Sequence, residues 1–545
     1  MRRTTAVLIL VTAFLLLPHR GGFSSPPRPS GPEAPGADVA RLVLDLRSLY
    51  AAEGSPGERW GHRAKVRLAD GTEVERESGY RDDPRFPAAA ARLIESSSAD
   101  DAPLGAWLLS TLPASRHREA EDVLTGALGH RDPRVAFEAA RALAVVGGRA
   151  SLGVLSKARS SSVRPNTASS SSVDRQALQA ATAWARDRVN DRTGGPPAGA
   201  TARSRLSGDF HRGLCWWFEG EEADHGASSF RTLASLGVTW VSVHTWDARQ
   251  RSVSDPEWTS ASGGFALRDL PDLVQNAHAA GLALMVKPHL EMRHRRPTKA
   301  EMAILRGRDE VARQRVIQTF QAERQAQGWH NEIAMRNEED WQTWFSNYES
   351  YLLDYARRAQ GAGADMLCVG RELDRTVLLR ERNWRALIAR VRGVFRGKLV
   401  YSANFDTYAA IRFWDALDFI GVSAYFSLSG SESPTLEELA AGWDRALPPL
   451  EGLSRQFGRP VLFTEVGYPS IPGSAATPWR EQRAAADVWL QARCYEAALR
   501  AVASRPWIRG TYWWLWEGVM QPPFRDPSFT IQGKPASFVM ASWYR

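Results

Sequence analysis

Two apolar runs in the second half of the chain end on glutamates. "RPVLFTEVGY" carries Val461, Leu462 and Phe463, reads as a buried strand and closes on Glu465; "ADMLCVGREL" gives out into Gly370, Arg371 and Glu372. A charge at the end of a fully apolar strand costs free energy unless something uses or pairs it. Two carboxylates facing one ligand are what cleavage of a glycosidic bond requires: one protonates the departing oxygen, the other attacks carbon or activates water. Taken singly, Glu372 also reads as a salt-bridging loop residue beside Arg371 and Arg375. Glu465 leaves less room for that reading, because its strand is otherwise apolar throughout.

The elements that must position these groups recur through the second half. Short apolar runs stand at 213–218, 238–244, 282–289, 365–370, 398–405, 419–426, 460–468 and 510–516, with amphipathic helical segments between most of them. Eight strands with intervening helices predict a (β/α)8 TIM barrel with some enlarged loops. In such a barrel the catalytic groups stand at the C-terminal strand ends, and the fourth and seventh strands lie almost opposite each other, so Glu372 and Glu465 can face one bound ligand. A doubly wound open sheet is the alternative, but no Gly-rich phosphate loop follows the first strand.

Other strand ends supply a supporting cast. Lys287 and His289 close the third run and Asn404 and Asp406 the fifth; these are polar groups suited to hold substrate hydroxyls. Tyr425 closes the sixth, where its hydroxyl can orient Glu465, although a core tyrosine with a wet tip is the competing reading. Sugar rings stack on aromatic faces, so Trp514 and Trp516, placed on one face by strand alternation, are the expected platform and Trp513 the core residue. Trp216, Trp217 and Trp246 are further aromatic candidates. No second histidine stands at ligand spacing to His289, and neither a metal nor an organic cofactor is signalled.

Taken together and in order, "KPH", "ADMLCVGREL", "YSANFD", "FWDALDFIGVSAYF", "RPVLFTEVGY" and "GTYWWLW" resemble glycoside hydrolase family 113, β-mannanase-like barrels with their acid on strand four and their nucleophile on strand seven. The resemblance covers roughly 206–520. It implies Glu372 as general acid/base and Glu465 as nucleophile in a retaining mechanism on β-linked mannosides. One place departs from the pattern: related barrels commonly carry Asn, and this family often a small polar residue, just before the acid, where this chain has Arg371. The residue at that place usually contacts the sugar hydroxyl beside the reacting carbon. A related β-glycosidase on another β-glycan is therefore an alternative, as is a carbohydrate-binding pseudoenzyme or envelope adaptor without turnover.

The rest of the chain organises around this barrel. "MRR" followed by the apolar segment 6–17 has the layout of a signal peptide or uncleaved anchor, and a Pro-, Gly- and Ser-rich tether runs to 38, so export is expected. Residues 39–84 carry no assignable pattern. From 85 to 190 the pattern is helical: "HRDPRV" places Asp132 and Pro133 at a helix start, with Val135, Ala139, Leu143 and Val146 at helical spacing, and resembles a HEAT-type repeat, a kind of unit that binds protein partners. A Ser-rich linker within it precedes a helix expected over 176–189, and 191–205 link to the barrel domain at 206–545, which holds 18 of the 21 tryptophans. The formal charge is +8, but the 69 basic residues are dispersed among 61 acidic ones, which argues for a solvated surface rather than a nucleic-acid groove. Three cysteines in no metal or redox spacing read as core residues. The segment 290–340 is an insert expected to form one wall of the groove.

Overall fold

The apolar runs of the second half pair side by side into one closed parallel barrel. The computed structural model describes residues 39–40, 42–44, 46–47, 65–67, 73–75, 83–98, 100–158, 172–194, 204–217, 226–260, 265–292, 297–306, 309–482, 484–517 and 522–545; the expected leader and tether at 1–38 lie outside these. The strands are β1 (His211–Trp217), β2 (Trp240–Gln250), β3 (Ala283–Met292), β4 (Met366–Arg371), β5 (Lys398–Asn404), β6 (Phe419–Ser423), β7 (Val461–Val466) and β8 (Ile508–Trp516). Each pairs in parallel with its sequence neighbours and β8 pairs with β1, which closes the barrel and leaves no free edge. A short antiparallel strand, Trp258–Ser260, adds to the far end of β2. Every residue of β4 and of β7 is buried, as expected of strands covered on both faces.

The barrel is filled by Cys215, Met285, Met366, Cys368, Val400, Leu462 and Tyr512. All three cysteines are buried and unpaired. Around it pack, among others, α7 (Ala227–Ser235), α8 (Phe265–Ala279), α11 (Glu338–Ala362), α13 (Glu381–Val394), α14 (Leu436–Ala446), α16 (Val488–Ala503) and α17 (Pro535–Tyr544). The 25-residue α11 shows why these segments are helical. Asn337 caps it by accepting from Asp340 N, three acidic residues occupy its first turn, and Gly363 ends it in the left-handed region at φ 80°. Trp341, Trp344, Tyr348, Tyr351 and Tyr355 recur every three or four residues and are buried. The insert between β3 and α11 holds two helices, α9 (Lys299–Arg306) and α10 (Glu310–Gln327), followed by a turn at His330–Glu332.

The described residues between 86 and 192 fold into α1 (Phe86–Ile94), α2 (Asp101–Leu109), α3 (His117–Ala127), α4 (Pro133–Val146), α5 (Arg149–Ala158) and α6 (Ser172–Arg192). Asp132 caps α4 by accepting from Arg134 N, with Pro133 at the first helical position. The buried Glu121 of α3 accepts from Gly148 N at 2.8 Å and Ser151 N at 2.9 Å, placing a carboxylate at the N-terminus of α5. The helix expected over 176–189 is longer, because Val173 also finds a buried site. Within 39–84, Lys65–Arg67 and Glu73–Glu75 form a two-stranded antiparallel pair. Among the described residues, no helix is long and apolar enough to cross a membrane.

These helices do not stand apart from the barrel. Helix α17 is sandwiched: Phe538 meets Phe137 of α4 edge to face at 5.2 Å and Trp184 of α6 at 5.5 Å, and Phe137 also meets Trp489 of α16 at 5.6 Å. Polar contacts fasten the same seam. The buried Glu496 of α16 accepts from Trp543 Nε1 at 2.7 Å and from Gln176 Nε2 at 2.9 Å, and Arg545 pairs with Asp187 at 2.5 Å. One hydrophobic core therefore runs from α1 to the barrel. A chain beginning at 206 would bare Phe538 and leave Glu496 short of a donor.

Phe137→Ala should lower the unfolding free energy by about 3 kcal/mol, the usual cost of emptying a buried phenylalanine site, measured by urea denaturation of the full chain. A loss well under about 1 kcal/mol would mean that the seam is not core.

Candidate active site

The mouth of the barrel gathers three carboxylates: Glu372 and Glu465, both buried, and the half-buried Glu291 of β3. Glu465, near the end of β7, is 1% exposed. Its Oε1 accepts from Lys287 Nζ of β3 at 2.5 Å and its Oε2 from the Tyr425 hydroxyl, two residues past β6, at 3.1 Å. Lys287 also donates to the Thr464 carbonyl at 3.2 Å. The carboxylate is thus held from both sides, and its rotamer is fixed by the ammonium and the phenol.

Glu372 follows β4 directly and is 5% exposed. Its backbone turns at φ 51°, the only positive φ at a non-glycine among the described residues, a conformation costing about 1–3 kcal/mol. Neighbours hold the turn: Glu372 N donates to the Ser402 carbonyl of β5 at 2.8 Å, and Leu373 N to the Tyr401 hydroxyl at 2.8 Å. Just before it, Gly370 lies where a Cβ would come within 2.8 Å of Trp384 and 2.9 Å of Tyr401, so the aromatic wall closes on bare backbone. The turn swings the carboxylate toward His330, whose Nε2 is 3.3 Å from Glu372 Oε2.

Arg371 lies between all three acids. Its Nη2 donates to Glu291 Oε1 of β3 at 2.8 Å, while Nη1 lies 3.6 Å from Glu372 Oε2 and 4.0 Å from Glu465 Oε1. Nη2 is also 3.3 Å from His330 Nε2. Burial alone would raise the Glu372 carboxyl, but the Arg371 guanidinium, then His330 and Ser423, outweigh it and hold the group well below the usual carboxylate range. Burial opposes the charge of Arg371, yet Glu372, Glu291 and Glu465 keep it more firmly protonated than an ordinary arginine.

Below this layer His244 Nδ1 and His289 Nε2 are 3.0 Å apart, and His244 Nε2 reaches Ser242 Oγ at 3.3 Å. Burial, with the nearby Lys287 and Arg371 charges, drives both imidazoles well below their usual range, so both are neutral. His244, His289 and Glu465 bring one ligand atom each within 4.8 Å of one another. Those donors are engaged with each other and with Lys287, and a metal ion would have to sit against that ammonium.

The expected substrate contacts divide. Arg371 and Tyr425 are in the site. Lys287 and His289, expected to hold sugar hydroxyls, are instead fully buried and committed to Glu465 and His244, because the acids and histidines above need internal partners. Asn404 ends β5, accepting from Phe405 N at 3.0 Å and facing Asp374 Oδ2 at 3.5 Å, while Asp406 is exposed at the rim.

The tryptophans divide too. Trp514 joins the interior cluster and meets His244 at 5.0 Å. Trp516 does not share its face: the β8–β1 ladder shifts register between Trp513 and Trp516, so alternation restarts and Trp516 joins the core outside the barrel. Trp216 faces outward as well, against Phe230 of α7 at 4.9 Å. Trp513 is core, stacked on Tyr495 at 3.8 Å. The side chains of Trp217 and Trp246 fall outside the described part of the structure.

Sequence reasoning missed Glu291, His330 and the half-buried stack of Phe405 on Trp479, 4.9 Å apart at the mouth. His330 comes from the insert, whose sequence carries no periodic signal at that turn. Glu291 had a signal: it continues the inward alternation of Lys287 and His289 along β3. Asp374 was also overlooked. It lies 7% exposed with no hydrogen-bond partner for Oδ1. Burial, then the nearby Glu372 and Asp406 charges, pushes its carboxyl up to about 8.

With this geometry in view, likeness to known proteins is informative. The sequence profile of Glycoside Hydrolase Family 113 matches residues 217–534. A solved GH113 beta-mannanase, AaManA from Alicyclobacillus acidocaldarius in complex with ManMIm, is similar at 28% identity and TM-score 0.50, over 62% of this chain and 97% of that one. A GH113 beta-1,4-mannanase complex, at 24% identity and TM-score 0.50, covers 62% of this chain and 98% of its own, a likeness of fold. No curated protein sequence matches the chain. The helices α1–α6 lie before the matched span.

Asp374 sets a pH dependence of stability. Its carboxyl titrates near the model-peptide value of 3.8 when unfolded and near 8 when folded, so folding takes up a proton between these values and stability falls as pH rises through that window. Asp374→Asn should be near neutral for the melting temperature at pH 4 and raise it increasingly up to pH 8. A shift independent of pH would remove the assignment.

Proposed function

The chain belongs to glycoside hydrolase family 113 and is a glycoside hydrolase, and from that premise we propose that it cleaves β-linked mannan or manno-oligosaccharides by a retaining double displacement. The observation that carries this reading is the convergence of Glu372 and Glu465 on one guanidinium nitrogen, 3.6 Å and 4.0 Å away. Those distances leave room for the roughly 5–5.5 Å of a retaining pair. The mannanase named in the structural match supports mannan as the substrate class.

In this mechanism Glu465 attacks the anomeric carbon while Glu372 gives a proton to the leaving oxygen as the C–O bond breaks. Water, deprotonated by Glu372, then hydrolyses the glycosyl ester on Glu465 with a second inversion. The chain supports each role differently. Lys287 and Tyr425 aim the Glu465 carboxylate in the resting protein and receive its charge back when the ester breaks. The positive-φ turn and His330 aim Glu372. Trp514 and the Phe405–Trp479 stack offer aromatic faces to the sugar rings. Export, read from the N-terminal segment, belongs to the same proposal.

Glu465→Gln should lower kcat on β-1,4-manno-oligosaccharides at least about 1,000-fold, about 4 kcal/mol in barrier terms, with the fold intact by circular dichroism. Residual turnover near the wild-type level would remove the nucleophile assignment. Glu372→Ala should cut turnover of unactivated mannosides far more than that of aryl mannosides with good leaving groups, which need little protonation; equal losses would count against the acid role. A panel of β-1,4-manno-, gluco-, xylo- and galacto-oligosaccharides, read by reducing-sugar release, tests the sugar.

A further inference from the structure

An acid catalyst must carry a proton, yet Glu372 sits where a proton is hardest to hold. Arg371 Nη1 lies 3.6 Å from its Oε2, and His330 Nε2 lies 3.3 Å from the same oxygen. Ser423 and Tyr425, at and beyond the end of β6, and Asp374 on its own segment also act on Glu372, while Glu291 from β3 and Glu465 from β7 lie against Arg371. Of these, Arg371 is the dominant charge acting on Glu372, and it is also the residue with a choice of partners, since Glu291 holds its other nitrogen at 2.8 Å.

We propose that Arg371 gates the acid role of Glu372: in the free protein its guanidinium keeps Glu372 an unprotonated carboxylate, and a bound sugar releases the gate by offering Arg371 a hydroxyl oxygen to donate to. The inference rests on the assignment of Glu372 as the acid. Glu291 is the hinge, because a guanidinium bound to it through Nη2 can pivot Nη1 away from Glu372 without losing its counter-charge. Once Nη1 points at the sugar, Glu372 takes a proton from solvent and passes it to the glycosidic oxygen as the C–O bond breaks. The acid is armed only where a substrate fills the site beside it, so specificity enters at protonation as well as at binding. An asparagine or small polar residue in the place of Arg371 carries no charge and could not act in this way.

The wild-type enzyme tests this directly on β-1,4-mannotriose. The pH profile of kcat/KM reports groups of the free enzyme and that of kcat reports the complex, so the basic limb of kcat should lie at least about one pH unit above that of kcat/KM, the lower end of the shift an adjacent opposite charge produces. Arg371→Asn should move the kcat/KM limb up by a similar amount, and Arg371→Lys should restore most of the difference. Coinciding limbs, or a limb unmoved by Arg371→Asn, would overturn the gate. A merely structural role for Arg371 would lower activity without moving the limb.

Carbon-13 carboxylate NMR of the ligand-free wild type, with Glu372→Gln to assign the signal, decides the matter without turnover or a folded Arg371 variant. Glu372 should stay ionised down to pH 4 and titrate higher when mannobiose is added. Ordinary titration in the free protein would overturn the proposal even if the enzyme is active. If no sugar is hydrolysed by folded protein, the functional reading fails, and the same spectra still show whether Arg371 controls Glu372.

Discussion

The site depends on how two buried carboxylates and a half-buried one share two buried cations. Glu291, Glu372 and Glu465 come from β3, from the turn after β4 and from β7, and neither Glu372 nor Glu465 could be carried this deep into the barrel mouth without compensation. Lys287 answers Glu465 at 2.5 Å, and Arg371 answers all three. Removing either cation would leave a carboxylate unpaired, which in buried pairs costs about 3–5 kcal/mol. The strand register is part of the same arrangement, since Lys287, His289 and Glu291 must all point inward from alternate positions of β3.

Burial alone does not decide what these acids do. Glu372 and Asp374 are two residues apart and similarly hidden, yet one is held below the usual carboxylate range and the other is raised to about 8. The difference is the company each keeps. Glu372 turns, through its positive φ, toward Arg371 and His330, whereas Asp374 begins the short helix 374–379 and meets Asn404 and the charges of Glu372 and Asp406. A single left-handed residue thus sends two neighbouring carboxyls into opposite electrostatic surroundings.

How much of this the sequence disclosed follows from the range of the forces involved. The eight strands were legible because each is a short apolar run bounded by helix and turn, and the ends of β4 and β7 announced themselves as charges where a dry strand should stop. Trp516 was misplaced because alternation was carried through a register shift that only the β8–β1 ladder reveals. His330 was invisible because it reaches Glu372 across 42 positions, out of an insert with no pattern of its own at that turn. The seam between the helices and the barrel was hidden for a related reason: Phe137 reads as one more apolar residue of α4, and nothing local says that its partner is Phe538.

That seam changes what the helices are for. Helix α17 follows the last barrel strand, and all but one of its residues before Arg545 are buried, so it needs cover on both sides. The barrel supplies one side, through the Tyr544 hydroxyl, which accepts from Trp513 Nε1 at 2.9 Å, and helices α4 and α6 supply the other. Tyr544 also bonds Thr511 of β8 at 3.0 Å, three residues from Trp514 at the mouth. The packing that closes the outer wall of β8 therefore continues into the strand that presents Trp514, and a loosened helical region would be felt at the barrel mouth through α17.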